Sequence, residues 1–156
     1  MITIRLGYIQ ISDWDNEIPY LFPDWMLEDT VNKKLQKEIN SIKLDDVVTL
    51  PNTIYTLTID YPLTNPFYKE FKTGKKGMTR KGLINLIVKS YRKVYKEEDS
   101  SSKIKAGWIP NMLNRNGTDG KYGIWGHVLE DLMLHTATVN PTSSLAKNKI
   151  TLGVDS

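Results

Sequence analysis

The strongest restriction on this chain's fold is an alternation of apolar and polar residues near both of its ends. In residues 2–11, Ile2, Ile4, Leu6 and Tyr8 alternate with Thr3, Arg5 and Gly7. That period of two places one side of a strand in a core and leaves the other wet. It returns in residues 54–61, where Tyr55, Leu57, Ile59 and Tyr61 alternate with Thr56, Thr58 and Asp60. It appears again near the end, with Ile150, Leu152 and Val154 set against Thr151, Gly153 and Asp155. The β-favouring run His135, Thr136, Ala137, Thr138 and Val139 precedes an Asn140-Pro141 turn signal, so it can pair with the last strand as a hairpin.

Between these segments the spacing changes to three and four. Met26, Leu27, Val31, Leu35, Ile39 and Ile42 predict a helix over about 25–42, with Asp24, Glu28 and Asp29 at the end where the helix dipole favours acids. Thr79 is a suitable N-cap for a longer helix to about residue 98, whose stripe is Leu83, Ile84, Leu86, Ile87, Tyr91, Val94 and Tyr95. A short helix is expected over about 125–133, and a Gly-, Asn- and Ser-rich loop with a turn near 109–113 before it. Strands without regular βαβ alternation argue for an α+β fold. The expected architecture is one domain over residues 1–156: a small, mostly antiparallel sheet of about four strands, with two longer helices and one short helix packed on one face.

At 156 residues with 40% hydrophobic side chains, such a domain buries enough surface to fold without cross-links. The chain has no cysteine, which excludes a disulfide scaffold, cysteine-ligated zinc, iron–sulfur clusters and thiol nucleophiles. It lacks a long apolar run, and its first eleven residues alternate where a secretory signal would be continuously apolar. The expectation is a cytoplasmic, intracellular protein with no membrane partner.

Charge is unevenly spread. Residues 69–105 hold 12 Lys or Arg against four acids, whereas residues 13–46 hold nine acids against four lysines. The basic stretch includes Lys75, Lys76, Arg80, Lys81, Lys89, Arg92 and Lys93, interleaved with Tyr68, Phe71, Tyr91, Tyr95 and Trp108. Phosphate neutralisation combined with stacking is what single-strand nucleic-acid contact requires, although Tyr91 and Tyr95 fall on the apolar stripe of the helix. Gly74 and Gly77 with these lysines, leading into a helix capped by Thr79, could also cradle an anion; the GxxxxGK[ST] phosphate loop is absent. The acidic segment carries Trp14, Phe22 and Trp25, which mark a protein contact wherever they are exposed and a core cap wherever they fold back.

Catalytic candidates are few. The histidines are His127 and His135 alone, so acid–base or metal chemistry must pass through them or through carboxylates, and on a continuous helix His127, Asp131 and His135 would share a face at metal-binding spacing. The plainer alternative is the wet side of that helix, opposite Trp125, Val128, Leu129, Leu132 and Met133. HExxH and GxSxG are absent.

The stretches DYPLTNP (60–66), MTRKGLINLIVKSYRKVYKEE (78–98), KYGIWGHVLEDLMLHTATV (121–139) and ITLGVDS (150–156) resemble a family of small uncharacterised proteins of plants, algae and large DNA viruses. The resemblance implies a recognisable core of Tyr122, Gly123, Trp125, Gly126, His127, Asp131 and Asp155, admits a virus-infected cell as the compartment, and brings no activity with it.

The resulting expectation is a non-enzymatic module, without cofactor, that binds a protein partner or itself, or serves as a structural component of a larger assembly. Nucleic-acid binding by the 69–105 face is the alternative. A metal- or carboxylate-dependent enzyme around His127, Asp131 and Asp155 is the third reading.

Overall fold

The computed structural model describes residues 1–15, 19, 22–104, 117–141 and 147–156; the expected turn near 109–113, and Trp108, lie outside them. Strand β1 (Ile2–Gln10) is followed by helix α1 (Thr30–Asn40), the strands β2 (Ile54–Ile59) and β3 (Phe67–Lys72), helix α2 (Arg80–Ser101), and the strands β4 (Met133–Pro141) and β5 (Lys147–Asp155). One five-stranded sheet in the order β1-β4-β5-β2-β3 joins them. Every neighbouring pair is antiparallel except β2 and β5. The fold is α+β with a mostly antiparallel sheet, as the alternation implied, and β4 with β5 forms the terminal hairpin.

The strand that the alternation does not reveal is β3. Its sequence, FYKEFK, has only Phe67 buried and Phe71 half-buried. As an edge strand it needs little apolar surface, and its charges discourage further pairing.

Helix α2 lies across one face. Its Leu83, Ile84, Ile87, Val88, Tyr91 and Val94 join Ile4, Leu6, Leu57, Leu134, Ala137 and Ile150 in a single core. Each such fully buried aliphatic contributes about 1.5–3 kcal/mol. Helix α1 does not share that core. Its Leu35 and Ile39, with Ile42 just beyond its end, line a cleft with Gly7, Tyr8, His135 and Asp155. Arg5 and Tyr8 point away from the side on which Ile4, Leu6 and Ile9 are buried. The helices therefore take opposite faces, where the sequence placed them on one. Helix α1 also starts later than expected, because the Asp29 carboxylate accepts a hydrogen bond from the Val31 amide at 2.8 Å and caps it there.

The expected helix over 125–133 is reduced to one 3-10 turn, Leu129–Asp131. Met133 already pairs with Gln10 of β1 and Asp155 of β5. Two ladder partners outcompete a helix too short to sustain itself.

Candidate functional site

Two clusters of polar and aromatic side chains meet at the C-terminal end of β5. The first is organised by Glu98, in the last turns of α2. A carboxylate near a helix C-terminus opposes the dipole, yet Glu98 is only 1% exposed. The loop after residue 117 wraps around it. Oε2 accepts hydrogen bonds from the Thr118 hydroxyl at 2.6 Å and the Gly120 amide at 2.9 Å, and Oε1 from the Tyr122 amide at 2.8 Å. The Gly123 and Ile124 amides add longer contacts at 3.3 and 3.4 Å. Burial pushes the Glu98 pKa up, but these hydrogen bonds outweigh it and hold the carboxyl below its ordinary range. Glu97 fastens the same loop from outside, accepting from the Tyr122 hydroxyl at 2.6 Å and pairing with Lys121 at 3.0 Å.

The loop also docks on the DYPLTNP segment. Leu63 bridges Ile124, the Trp125 amide donates to the Pro62 carbonyl at 3.1 Å, and the Thr64 and Asn65 amides donate to the Tyr122 carbonyl. Gly123 and Gly126 adopt positive φ (62° and 72°), the left-handed turns that the path requires. At its apex Trp125 is 47% exposed. Its ring meets Tyr61 edge-on at 5.1 Å between centroids and His127 at 6.0 Å, and Tyr61 lies 5.8 Å from His127. Asp131 Oδ2 stands 3.7 Å from His127 Nδ1, and Ser156 Oγ stands 3.4 Å from His127 Nε2. The Ser156 hydroxyl is engaged more closely by Tyr61, at 2.5 Å. Tyr95 donates to the His127 carbonyl at 3.0 Å, and burial pushes its own phenol pKa far up.

The second cluster lies on the outer face of the sheet. Tyr8 donates to Asp155 Oδ2 at 2.5 Å, and His135 Nε2 lies 3.3 Å from Asp155 Oδ1. Burial, then the hydrogen bond to Asp155 and its negative charge, push the Tyr8 pKa up to about 12. A register shift between Leu134 and Thr136 in β4 turns His135 over β5 at Gly153. A Cβ at Gly153 would stand 2.2 Å from Thr136 Oγ1 and 2.5 Å from the His135 ring, so only glycine admits this arrangement.

The structure thus separates residues that the sequence grouped. His127 keeps Asp131, while His135 goes with Asp155. With the helix gone, the spacing that aligned His127, Asp131 and His135 is gone too. Among the described residues no group of three or more His, Asp or Glu could hold a metal ion.

The basic candidates also divide. Arg80 is structural: its side chain is 15% exposed, it donates to the Arg5 carbonyl at 2.7 Å and to the Lys43 carbonyl, and it pairs with Asp46 at 3.5 Å. Arg92 points back to the Ile11, Ser12 and Trp14 carbonyls. The first-turn amides of α2 are taken as well, by the Asp46 and Leu44 carbonyls and the Thr79 hydroxyl, so no anion cradle remains there. Lys75, Lys76, Lys89 and Lys93 are exposed, Lys93 facing Glu97 at 3.7 Å, and Lys81 is half-buried. Tyr91 is buried in the core.

Of the acidic segment's aromatics, Trp14 is 7% exposed and donates to Asn85 at 2.8 Å, whereas Trp25 is 75% exposed. Phe22 is half-buried, 6.0 Å from the Tyr8 ring. Among the described residues no helix is long and apolar enough to cross a membrane. Sequence reasoning missed Glu98 as a site-building residue. The signal was available, since three consecutive acids, Glu97, Glu98 and Asp99, stand near the end of a helix whose last turn ordinarily favours Lys or Arg. Comparison with protein-family models, curated proteins and solved structures returns no match.

Proposed function

We propose that this protein is a non-enzymatic module that recognises another protein, with the Trp125 indole as its anchor. The observation that carries this reading is a half-exposed tryptophan on a loop fastened from beneath by a buried carboxylate. Leaving an indole in water forgoes burial, and immobilising it spends conformational entropy that a loose loop would keep. Both costs are recovered when a partner covers a ring whose position is already set, which is why rigid aromatics dominate interface energetics. Tyr61 and His127 flank it as a preformed rim. A Ser, His and Asp stand in line here, but the Ser156 hydroxyl is turned to Tyr61 and Ser156 is exposed, which favours recognition over acyl transfer.

Covering the remaining half of the indole removes on the order of 100 Å² of apolar surface from water, so Trp125→Ala should weaken binding by about 2–3 kcal/mol. Quantitative affinity capture from source-cell extract with wild type, Trp125→Ala and Trp25→Ala tests this, alongside sedimentation at rising protein concentration for self-association. The expected result is a partner, or a dimer, lost with Trp125→Ala and kept with Trp25→Ala. Indifference to Trp125→Ala would sink the reading. A complex that instead depends on Lys75, Lys76 and Lys89, and melts steeply with salt, would point to nucleic acid.

A further inference from the structure

Helix α1 and the outer sheet face enclose a cleft of about 220 Å³. Pockets for drug-sized ligands run to roughly 300–1,000 Å³, so this one accommodates a single side chain or a fragment. Its walls differ in chemistry. Leu35, Ile39 and Ile42 line one side, and Tyr8, His135 and Asp155 line the other, with Arg5 and Glu38 at the rim.

The hydrogen-bonding capacity of the polar wall identifies what can enter. The Tyr8 proton is committed to Asp155 Oδ2, and His135 Nε2 faces Asp155 Oδ1 while its Nδ1 meets the Thr136 hydroxyl at 3.2 Å. Arg5 is held by Glu38 Oε2 at 3.0 Å. What stays unfilled is mostly acceptor: the second lone pairs of the Asp155 oxygens, Glu38 Oε1 and the Tyr8 oxygen. Arg5 and Glu38 cancel, and among the described side chains no Lys or Arg pairs with Asp155. An anion would meet two carboxylates. A cation with an apolar stem would satisfy both walls.

We propose that this cleft binds an organic cation on a short aliphatic stem, a guanidinium or ammonium held by Asp155 and Glu38 with its methylenes against Leu35, Ile39 and Ile42. The cation can come free, as a small amine, or as an arginine or lysine side chain of another protein. The site shares no side chain with the Trp125 platform, so the two proposals stand or fall separately.

The test is a titration of the full chain followed by amide chemical shifts at Gly7, His135, Thr136 and Gly153, using agmatine, a glycine-flanked arginine peptide, and the same peptide with norleucine in place of arginine. Saturable shifts confined to these amides are expected with a cationic ligand, and none with norleucine. Saturation by agmatine alone assigns a free amine, and saturation by the arginine peptide assigns a partner's side chain. Asp155→Asn should weaken the binding by about tenfold or more, the loss typical of a charged hydrogen-bond partner, while Trp125→Ala leaves it unchanged. Equal response to arginine and norleucine peptides, or saturation by neither cation, overturns the proposal. That comparison uses the unmodified chain, so it decides the matter even if Asp155→Asn fails to fold.

Discussion

Replacing Glu98 with glutamine changes one oxygen for an amide nitrogen at nearly constant volume, and its cost follows from the donors that converge there. Three hydrogen bonds to the carboxylate are short, from the Thr118 hydroxyl and the Gly120 and Tyr122 amides, and two are long. A glutamine oxygen can keep the Tyr122 side. Its NH2 then faces the Gly120 amide, which is left without an acceptor, while the Thr118 hydroxyl can turn to accept. Losing a charged acceptor costs about 1.5–3 kcal/mol and stranding a buried N–H about 1–3 more, so the expected total is about 2.5–6 kcal/mol. For a chain of this size that corresponds to a fall in Tm of about 10 °C. The pH dependence has a definite sign. Because the folded-state pKa lies below the usual 4.5, the carboxylate stabilises the fold fully above that value and ceases to do so as pH falls through the lower folded value. Denaturation followed by tryptophan fluorescence at about pH 7 and about pH 3 should therefore show a wide gap between wild type and Glu98→Gln that narrows in acid. A gap below about 1 kcal/mol at neutral pH, or one that does not change with pH, would refute the claim that this carboxylate holds the loop.

Gly153→Ala forces a Cβ against Thr136 and the His135 ring; a destabilisation of about 2–4 kcal/mol in denaturant midpoints is expected, and a neutral outcome would mean that the β4 register is not pinned there. Burial first, then the hydrogen bond to Asp155 and its charge, raise the Tyr8 pKa from its ordinary 10.0 to about 12, and Asp155→Asn removes the charge. Tyrosinate absorbance should therefore show this phenol titrating at lower pH in the variant, stopping short of its ordinary value because burial remains. A fluorophosphonate probe should leave Ser156 unmodified at concentrations that label serine hydrolases; stoichiometric labelling, read by intact mass, would overturn the non-enzymatic reading. Arg92→Ala should destabilise the chain by about 1.5–3 kcal/mol through the three carbonyls it leaves behind, without altering salt-dependent oligonucleotide retention.

Which parts of this molecule could be read from the sequence depends on whether a segment's role is set by its own side chains or by its neighbours. β1, β2 and β5 alternate because one face of each carries the apolar residues of the α2 core and the other carries mostly polar ones. α2 shows its stripe because one face meets the whole sheet. β3 left no such trace, since an edge strand buries little, and the segment 125–133 looked helical because its apolar spacing did not record that two strands would claim Met133. The side of the sheet taken by α1 was equally hidden. Gly7, with a φ of +109° and no Cβ to strike Pro19, leaves room for that connection against the outer face. Among site residues, His127 with Asp131 was legible as a local pair, whereas His135 with Asp155 required the β4–β5 register.

The residues that break local rules gather at one end of the fold. An acid near a helix C-terminus, a tryptophan left half in water, a glycine where a strand would prefer a branched residue and a histidine set over a neighbouring strand are each unfavourable when taken alone. Glu98 holds the loop that carries Trp125, Trp125 meets Tyr61 and His127 beside Ser156, and Gly153 and His135 stand with Asp155 at the end of β5. Elsewhere pattern, packing and capping agree, as in the α2 core and the Asp29 cap. Conflict of this kind, beside a core and a cap that follow ordinary rules, is what the proposed recognition surface would impose on the fold, even where the same residues also hold the structure together. Arg80 and Arg92 lie outside this set: each donates to backbone carbonyls, so these two members of the basic stretch need no ligand to explain them.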